Sequence, residues 1–234
     1  MNIKKINKIE LTPQTAYLTA VIIGDGNLSN YVKSKLKPSP DYRIVIDLSD
    51  RAYLIYLDKL IKKIIYTRSQ PTIPLQRGNR QPRLSIAIRN KSLFYFFYKD
   101  MGIPKGKKSS IVFVPEKIKK ASLEIKKYFL AGYFDTDGGF RGGTLGFTTA
   151  SKRLNSEVSD LLFEFNMGHS LDSWINKKYS KEFYGIRLRK KEIDNFLNTF
   201  PFQNKEKLVR ISLRFSARMP ERSNGIDYSN QLLD

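Results

Sequence analysis

The amino-acid sequence predicts an α+β fold that consists of two pseudo-symmetric repeats, each with the element order αββαββα. The first observation is an internal repeat: residues 18–26, LTAVIIGDG, resemble residues 130–138, LAGYFDTDG, and the two segments start 112 positions apart. The second is that a matching series of strand and helix patterns follows each copy. We therefore expect an N-terminal repeat at 1–100, a basic linker at 101–121, a C-terminal repeat at 122–210 and a tail at 211–234.

The first helix of each repeat is predicted from its start, its apolar body and its end. Thr12 is a favourable N-cap, Pro13 suits the first helical position, and Ser122 can cap the helix of the second repeat. Each helix ends in Asp-Gly, and we expect Gly26 and Gly138 to adopt the left-handed conformation that terminates many helices.

The remaining elements follow from hydrophobic periodicity and turn residues. In the first repeat we expect a weak strand at 28–32, a loop of about ten extra residues around Pro38 and Pro40, a strand at 42–48, a helix at 50–66, a hairpin of strands 73–76 and 83–89 across Gly78 and Asn79, and a helix at 92–100. In the second repeat we expect strands at 139–142, 144–149, 171–176 and 183–189, with helices at 151–166 and 191–200.

The charge of the chain predicts a large anionic partner. Lys and Arg number 42 against 22 acidic residues, which gives a formal net charge of +20 and a pI near 10. Nucleic acid is the expected partner, since neither a lipidation signal nor an amphipathic anchor suggests a membrane surface. No apolar run is long enough to span a bilayer and no leader is evident, so we expect a soluble, unprocessed protein that is cytoplasmic, and nucleoid-associated in a prokaryote.

Scarce residue types narrow the chemistry. The sequence has no cysteine and a single histidine, His169, which excludes disulfides, thiolate nucleophiles and cysteine-based zinc sites. A hydrolytic mechanism must therefore depend on carboxylates, supported by hydroxyl groups, Lys or Arg. We expect His169 at the surface or at a strand start without a partner, and Trp174 and the aromatic cluster at 94–98 in the core.

Small residues four positions apart indicate that the two Asp-Gly helices pair. They are Ala20 and Gly24 in the first helix, and Gly132 and Thr136 in the second. Each pair shares one helix face, so the backbones can approach closely and place Asp25 next to Asp137. Adjacent carboxylates repel unless a cation lies between them, and Mg²⁺ prefers hard oxygen ligands. One Asp-Gly after a helix is most often an ordinary turn, but two on matching helices favour a phosphodiesterase centre.

The two segments resemble the two LAGLIDADG motifs of a single-chain homing endonuclease of the intron-encoded, archaeal-like type, and the resemblance covers residues 12–210. The second copy is the better match, since the first departs at Thr19, Ala20 and Ile23. The metal ligands that the resemblance implies are Asp25 and Asp137, with Gly24 and Thr136 beside them. Asp135 matches the earlier acid of the motif, for which a helix-end or packing role is expected.

The resemblance also implies a basic residue after the last helix of each repeat that reaches the central phosphates. Lys108 and Lys207 are the preferred catalytic candidates, and Lys107 and Lys205 are alternatives because the register is open. A polar residue at the end of the second strand of each repeat would help to order water. The residues in those positions are Ser49 and Thr149, and the Gln that is frequent in the family is absent from both.

Strand alternation predicts the surface that contacts DNA. In the strand 83–89 the apolar residues alternate, so the side chains between them face outward, and the strand 183–189 behaves alike. A solvent-facing side of a half-buried sheet is the ordinary explanation, but Arg is enriched on that side in both repeats, which favours DNA contact. The predicted DNA-binding residues are Arg43, Asp47, Arg77, Arg80, Arg83, Ser85, Arg89, Arg141, Lys177, Lys178, Arg187 and Arg189.

Sequence and resemblance together imply a site-specific endonuclease that binds a long double-stranded DNA site and hydrolyses one phosphodiester bond in each strand, leaving short 3′ overhangs. Because the two repeats differ throughout, we expect an asymmetric site and a monomer. Mg²⁺ is the expected cofactor, with Mn²⁺ able to substitute and Ca²⁺ able to bind without supporting cleavage.

Other functions remain open from the sequence. The main alternative is a non-cleaving nucleic-acid binder on the same scaffold, either an intron RNA maturase or a DNA-binding regulator, and intron RNA is an additional candidate partner. An intein with an endonuclease insert is disfavoured because flanking splicing residues are absent. A ribosomal protein would explain the charge but not the duplicated acid-ended helices.

Overall fold

A computed structural model of the protein describes residues 8–32, 40–65, 70–72, 84–178 and 180–218. The first repeat consists of α1 (Pro13–Gly24), β1 (Gly26–Val32), β2 (Pro40–Leu48), α2 (Arg51–Ile64), β3 (Gln70–Thr72), β4 (Leu84–Arg89) and α3 (Lys91–Tyr95), which continues as a π-helical segment at Phe96–Asp100. The linker contains α4 (Glu116–Lys119). The second repeat consists of α5 (Leu123–Asp137), β5 (Gly138–Arg141), β6 (Thr144–Thr149), α6 (Lys152–Glu164), β7 (His169–Asn176), β8 (Lys181–Leu188) and α7 (Ile193–Thr199), which follows a 3₁₀ turn at Lys190–Glu192; α8 (Lys205–Arg218) comes last.

The described strands form two four-stranded antiparallel sheets, one in each repeat. The order is β1-β2-β4-β3 in the first sheet and β5-β6-β8-β7 in the second, so corresponding strands occupy corresponding places. This arrangement confirms the predicted α+β fold of two pseudo-symmetric repeats. Within the described ranges, each helix is too short or too polar to traverse a bilayer.

The strand alternation positions the core as the sequence predicts. In β4, Leu84, Ile86 and Ile88 are buried, whereas the residues between them are partly exposed. In β8, Ile186 and Leu188 are buried in the same way. The buried faces of both sheets join one hydrophobic core with the helices.

The paired helices α1 and α5 form the interface between the repeats. Both are buried along most of their length, as expected for helices that are apolar on nearly every side. A Cβ atom on Gly132 would lie 2.5 Å from the Tyr17 carbonyl oxygen and 3.2 Å from the Ala20 Cβ, and one on Gly24 would collide with the Thr136 side chain. The small residues therefore allow the backbones of α1 and α5 to come into contact, as their spacing in the sequence predicted.

The helix ends differ from the sequence expectation in two respects. Thr12 caps α1 by accepting a hydrogen bond from the Thr15 amide, with Pro13 at the first position as predicted, whereas Ser122 starts α5 without a side-chain cap. Gly26 and Gly138 do not adopt the left-handed conformation; Gly138 is extended at φ −81°. These glycines instead provide space, since a Cβ on Gly26 would lie 2.6 Å from the Ile22 Cα.

One further expectation lies outside the described residues, and another changes. The predicted strand 73–76 and its turn at Gly78 and Asn79 lie outside the described residues, and the strand paired with β4 there is the earlier β3. The basic segment after Phe202, predicted as a tail from 211, contains α8, which crosses the predicted boundary at 210. This helix packs against α2 of the first repeat and β5 of the second.

Candidate active site

Asp25 and Asp137 lie at the adjacent C-terminal ends of α1 and α5, where the sequence placed them. Asp25 follows the last residue of α1 and its amide donates to the Val21 carbonyl, and Asp137 is the last residue of α5. A Cβ on Gly24 would be 3.2 Å from Asp137 Oδ2, which shows how closely the two helix ends approach. Two carboxylates from different repeats thus share one small volume.

Burial disfavours the ionised form of both acids, and the proximity of Asp25 adds to this effect at Asp137. Burial and the Asp25 carboxylate raise the pKa of Asp137 to about 7, although Lys108 and Lys207 oppose the shift. Burial likewise raises the pKa of Asp25; the two lysines oppose this shift, and Asp47 adds to it. An adjacent cation would relieve this penalty in both acids.

Two lysines flank the acids, one at each helix end. Lys108 Nζ donates to the carbonyl oxygens of Ile23 (2.5 Å) and Gly24 (3.3 Å) at the end of α1. Lys207 Nζ donates to three carbonyl oxygens at the end of α5, those of Phe134 (3.0 Å), Thr136 (2.8 Å) and Gly138 (3.0 Å). A cation at a helix C-terminus is favoured by the partial negative charge of the unpaired carbonyls.

The alternative lysines are elsewhere. Lys107 and Lys205 are exposed, whereas Lys108 is buried and Lys207 is partly buried. Burial lowers the pKa of Lys108 and of Lys207, and the nearby carboxylates oppose that effect. The geometry thus brings the preferred pair, not the alternatives, to the acids.

The donor set suits a hard divalent cation. Within the described residues, no three His, Cys, Asp or Glu side chains lie together as a metal-binding group. A metal here would depend on Asp25 and Asp137 with backbone carbonyls such as those of Gly24 and Thr136, which face the same region and currently accept bonds from the lysines. These are all oxygen ligands, which Mg²⁺ and Ca²⁺ prefer.

The polar residues predicted to order water have different surroundings. Ser49 is exposed. Thr149 is buried, and its hydroxyl accepts a hydrogen bond from the Ser151 amide at 3.1 Å. Asp47, predicted to contact DNA, is exposed and lies beside the acids, since its amide donates to the Asp25 carbonyl at 3.2 Å.

Asp135 is buried two positions before Asp137 and is heavily bonded. Its Oδ2 accepts hydrogen bonds from the Tyr17 hydroxyl at 2.5 Å and from the Gln203 amide at 2.7 Å. Its backbone carbonyl accepts from the Asn204 side chain at 3.2 Å. These contacts are consistent with the helix-end or packing role expected for Asp135. The partners lie far away along the chain, and sequence spacing gave no signal of them.

The outer face of the first sheet carries the predicted row of polar residues. Arg43 stands opposite Arg89, and Asp47 opposite Ser85, all on the face away from the core. Arg89 is more than half exposed and pairs with Asp41 at 3.1 Å. The predicted contacts Arg77, Arg80 and Arg83 lie outside the described residues.

The outer face of the second sheet holds a connected cluster. The Arg141 guanidinium bonds both oxygens of Asp172 at 2.9 and 3.0 Å and the Thr148 hydroxyl at 2.8 Å. Arg187 pairs with the same Asp172 at 2.9 Å. Arg141 also lies over the Trp174 ring, 4.0 Å from its centre. The expectation of Trp174 in the core was wrong, because in the edge strand β7 it falls on the outer side of the sheet beside these arginines.

Other predicted residues of this half are at its margins. Lys177 and Lys178 are exposed in the turn between β7 and β8, and Arg189 is exposed directly after β8. His169 does start β7, but it is buried and bonded: its ring nitrogens lie 2.7 Å from the Ser159 hydroxyl and 2.7 Å from the Met167 carbonyl. The expectation that His169 lacks a partner was therefore wrong.

Comparison with known proteins identifies similar sequences. A family model described as a LAGLIDADG-like domain matches residues 124–201. Over 206 residues the chain is 23% identical to the replication factor C small subunit of Methanocaldococcus jannaschii, covering 88% of this chain and 10% of that protein. Over 87 residues it is 37% identical to the tRNA-splicing ligase RtcB of Pyrococcus abyssi, covering 35% of this chain and 10% of that protein. The chain thus spans about a tenth of the length of these curated relatives.

Solved structures with the same fold include DNA complexes. The homing endonuclease I-DmoI in complex with DNA and Ca matches with a TM-score of 0.64 and 19% identity over 85% of this chain and 97% of that one. The homing endonuclease I-WcaI bound to its DNA recognition sequence gives 0.56 and 16% over 89% and 88%. The N-terminal LAGLIDADG domain of WhiA gives 0.54 and 17% over 88% and 91%. At these identities the likeness establishes the fold alone.

Proposed function

We propose, from the premise that this chain is a LAGLIDADG protein by its matching domain at 124–201 and by its fold, that it is a site-specific DNA endonuclease. It would act as a monomer, bind a long asymmetric duplex site and hydrolyse one phosphodiester bond in each strand, leaving short 3′ overhangs. The observation that carries the proposal is the meeting of Asp25 and Asp137 at the ends of α1 and α5, each helix end held by a lysine.

The side chains of this centre have complementary tasks. Asp25 and Asp137 would hold Mg²⁺, with carbonyl oxygens of Gly24 and Thr136 as further donors; when bound, the metal supplies Lewis-acid activation of water and charge stabilisation of the leaving oxygen. Mn²⁺ is expected to replace Mg²⁺, and Ca²⁺ to bind without cleavage. I-DmoI complexes with DNA have been determined with Ca, with Mn and with Mg, which supports divalent metal use on this fold.

The lysines place positive charge against the scissile phosphates. Lys108 and Lys207 are fixed by carbonyl oxygens on either side of the acids, so their positive charges are already in place when a phosphate arrives. Each lysine is attached to the end of one helix, and its charge acts on both Asp25 and Asp137. A preorganised cation of this kind stabilises the negative charge that develops on the phosphate oxygens during attack.

The sheets would supply the binding surface. Their outer faces carry Arg43 and Arg89 in one repeat and Arg141 and Arg187 in the other, and a twisted antiparallel sheet can lie along a major groove. The net charge of +20 supports binding to the phosphate backbone. DNA is also the partner of I-DmoI and I-WcaI in their complexes.

The alternative is a non-cleaving binder of DNA or intron RNA on the same scaffold. The similarity to the LAGLIDADG domain of WhiA, which is not named as an endonuclease, supports this alternative. A binder of that kind has no need of two terminal acids, so the presence of both Asp25 and Asp137 favours the nuclease.

The experiment starts from the parental protein, because the target is unknown. Incubation with plasmid libraries and Mg²⁺, followed by mapping of the cut ends, identifies the site. Asp25→Asn and Asp137→Asn are then tested beside Asp160→Asn, an exposed acid of α6, as the matched control. Both active-site variants should bind the mapped site as well as the parent in a gel-shift assay while double-strand cleavage collapses. If either variant cut at the parental rate, the proposed centre would be wrong; a parent that binds selectively but never cuts would favour the alternative.

A further inference from the structure

We propose that Asp135 is a positioning residue that fixes Lys207 in the active centre and thereby sets the rate at which one particular DNA strand is cut. The inference rests on the proposed nuclease function, and it concerns a residue that the family motif leaves without a catalytic task. Five connected hydrogen bonds carry it, and one of them crosses the interface between the repeats.

The first part of the connection comes from the first repeat. The Tyr17 hydroxyl has one proton and donates it to Asp135 Oδ2 at 2.5 Å. The Tyr53 hydroxyl lies 2.8 Å from that of Tyr17, so Tyr53 must donate in this pair. Tyr17 belongs to α1 and Tyr53 to α2, and both are buried. Two elements of the first repeat are therefore fastened to an acid of the second.

The second part leads from Asp135 to α8. The same Oδ2 accepts from the Gln203 amide at 2.7 Å, and the Asp135 carbonyl accepts from the Asn204 side chain at 3.2 Å. Asn204 in turn accepts from the Lys207 amide at 3.0 Å, so it caps the first turn of α8. The Asp135 side chain thus holds Gln203 and its backbone carbonyl holds Asn204, the two residues directly before α8.

Lys207 lies in that first turn and points back to the end of α5. Its ammonium group donates to the carbonyls of Phe134, Thr136 and Gly138, which bracket Asp135 and Asp137 along the chain. The lysine is therefore located by two attachments, one through the start of α8 and one through its own head group. Without the attachment through the start of α8, the backbone of Lys207 would shift, and its side chain would have to reach the carbonyls of α5 across a different distance.

The two repeats differ at this point. Ile23 stands 112 positions before Asp135, in the same place of the first motif, and it offers no carboxylate. Lys108 is instead held by the carbonyls of Ile23 and Gly24 and by its own burial. A change at Asp135 should therefore disturb Lys207 and leave Lys108 in place, so that one half of the active centre is affected.

The test uses three variants of the full chain. Asp135→Ala removes the side-chain acceptor of Tyr17 and Gln203 but keeps the backbone carbonyl that accepts from Asn204. Asp135→Asn keeps one side-chain oxygen for Tyr17 and Gln203, and Tyr17→Phe removes the donor from the first repeat. The readout is strand-resolved cleavage of a duplex with the mapped site, each strand labelled separately, together with DNA affinity.

Asp135→Ala should slow cleavage of one strand by about tenfold or more and accumulate nicked product, since displacement of a catalytic group by about 1 Å can reduce rates about a hundredfold. Asp135→Asn should cleave both strands at near the parental rate. Tyr17→Phe should slow cleavage of the same strand that Asp135→Ala slows.

A second readout does not depend on cleavage. Limited acetylation of the parent and the variants, quantified by mass spectrometry, measures how accessible each lysine amine is. Lys207 should label several-fold faster in Asp135→Ala than in the parent, while Lys108 serves as the internal control and stays unchanged. Equal slowing of both strands, equal labelling of both lysines, or failure of Asp135→Asn to restore the parental behaviour would overturn the inference. A parent that does not cut DNA would refute the proposed function, and the labelling result would still decide the role of Asp135.

Discussion

The substitution Asp137→Asn should stabilise the metal-free protein, and the gain should grow with pH. Burial and the neighbouring Asp25 raise the pKa of Asp137 to about 7 from an ordinary value of 3.8. Between these two values the folded protein binds a proton that the unfolded chain has already released. The free energy of unfolding therefore falls as pH rises through this window, and above about pH 7 the contribution is lost. Asn carries no such proton and does not follow this decline.

The magnitude follows from the shift. A rise from 3.8 to about 7 is roughly three units, which corresponds to an upper limit of about 4 kcal/mol. Asp137 keeps partial contact with solvent, and Lys108 and Lys207 offset part of the penalty, so we take about 2 kcal/mol. The advantage of the variant over the parent should increase by this amount between about pH 4.5 and about pH 8.

Urea unfolding in EDTA at both pH values measures the difference, with Asp160→Asn as the exposed control. Added Mg²⁺ should stabilise the parent at the higher pH and have little effect on the variant, because a ligand that binds only the folded state raises its stability. A variant whose advantage is the same at both pH values, or which is less stable than the parent at high pH, would refute the electrostatic reasoning.

Three further predictions follow from the geometry. Lys207→Met should reduce the cleavage rate about a hundredfold with little loss of DNA affinity, whereas Lys205→Met, which alters an exposed side chain, should cut normally; equal effects in a single-turnover assay would contradict the assignment. Arg187→Ala should relax preference at one or two base pairs by about 1–3 kcal/mol in binding titrations with variant sites, and uniform weakening on all sites would instead indicate a phosphate contact. Gly132→Ala should destabilise the fold by about 1–3 kcal/mol in thermal or urea unfolding, because its Cβ would lie 2.5 Å from the Tyr17 carbonyl; an unchanged midpoint would show that α1 and α5 can separate freely.

The parts of this fold that follow from local rules were predictable. The duplicated Asp-Gly segments located both helices and both acids, because a helix end and its small-residue spacing are visible in nine consecutive residues. Alternation in β4 located Leu84, Ile86 and Ile88 in the core, because side chains in a strand alternate between its faces. The basic segments after the last helix of each repeat contained the lysines that the structure brings to the acids.

Other features depend on what packs against them. In α8, the apolar residues that join the core are Leu208, Ile211 and Phe215, and α8 packs against α2 and β5. Because this packing is not visible in the sequence, the segment from 211 was predicted as a tail. Trp174 is apolar enough for a core position. The face of the sheet on which it lies depends on the register of β7 and β8, which pairs Trp174 with Phe183.

The same distinction applies to the site. The sequence by itself determined which acids and lysines are available and that two similar helices present them. Only the tertiary structure decided that Asp135 accepts from Tyr17 of the other repeat. The physical reason is that periodicity and capping act over a few neighbouring residues, whereas hydrogen bonds between buried groups and close backbone approaches join residues more than a hundred positions apart.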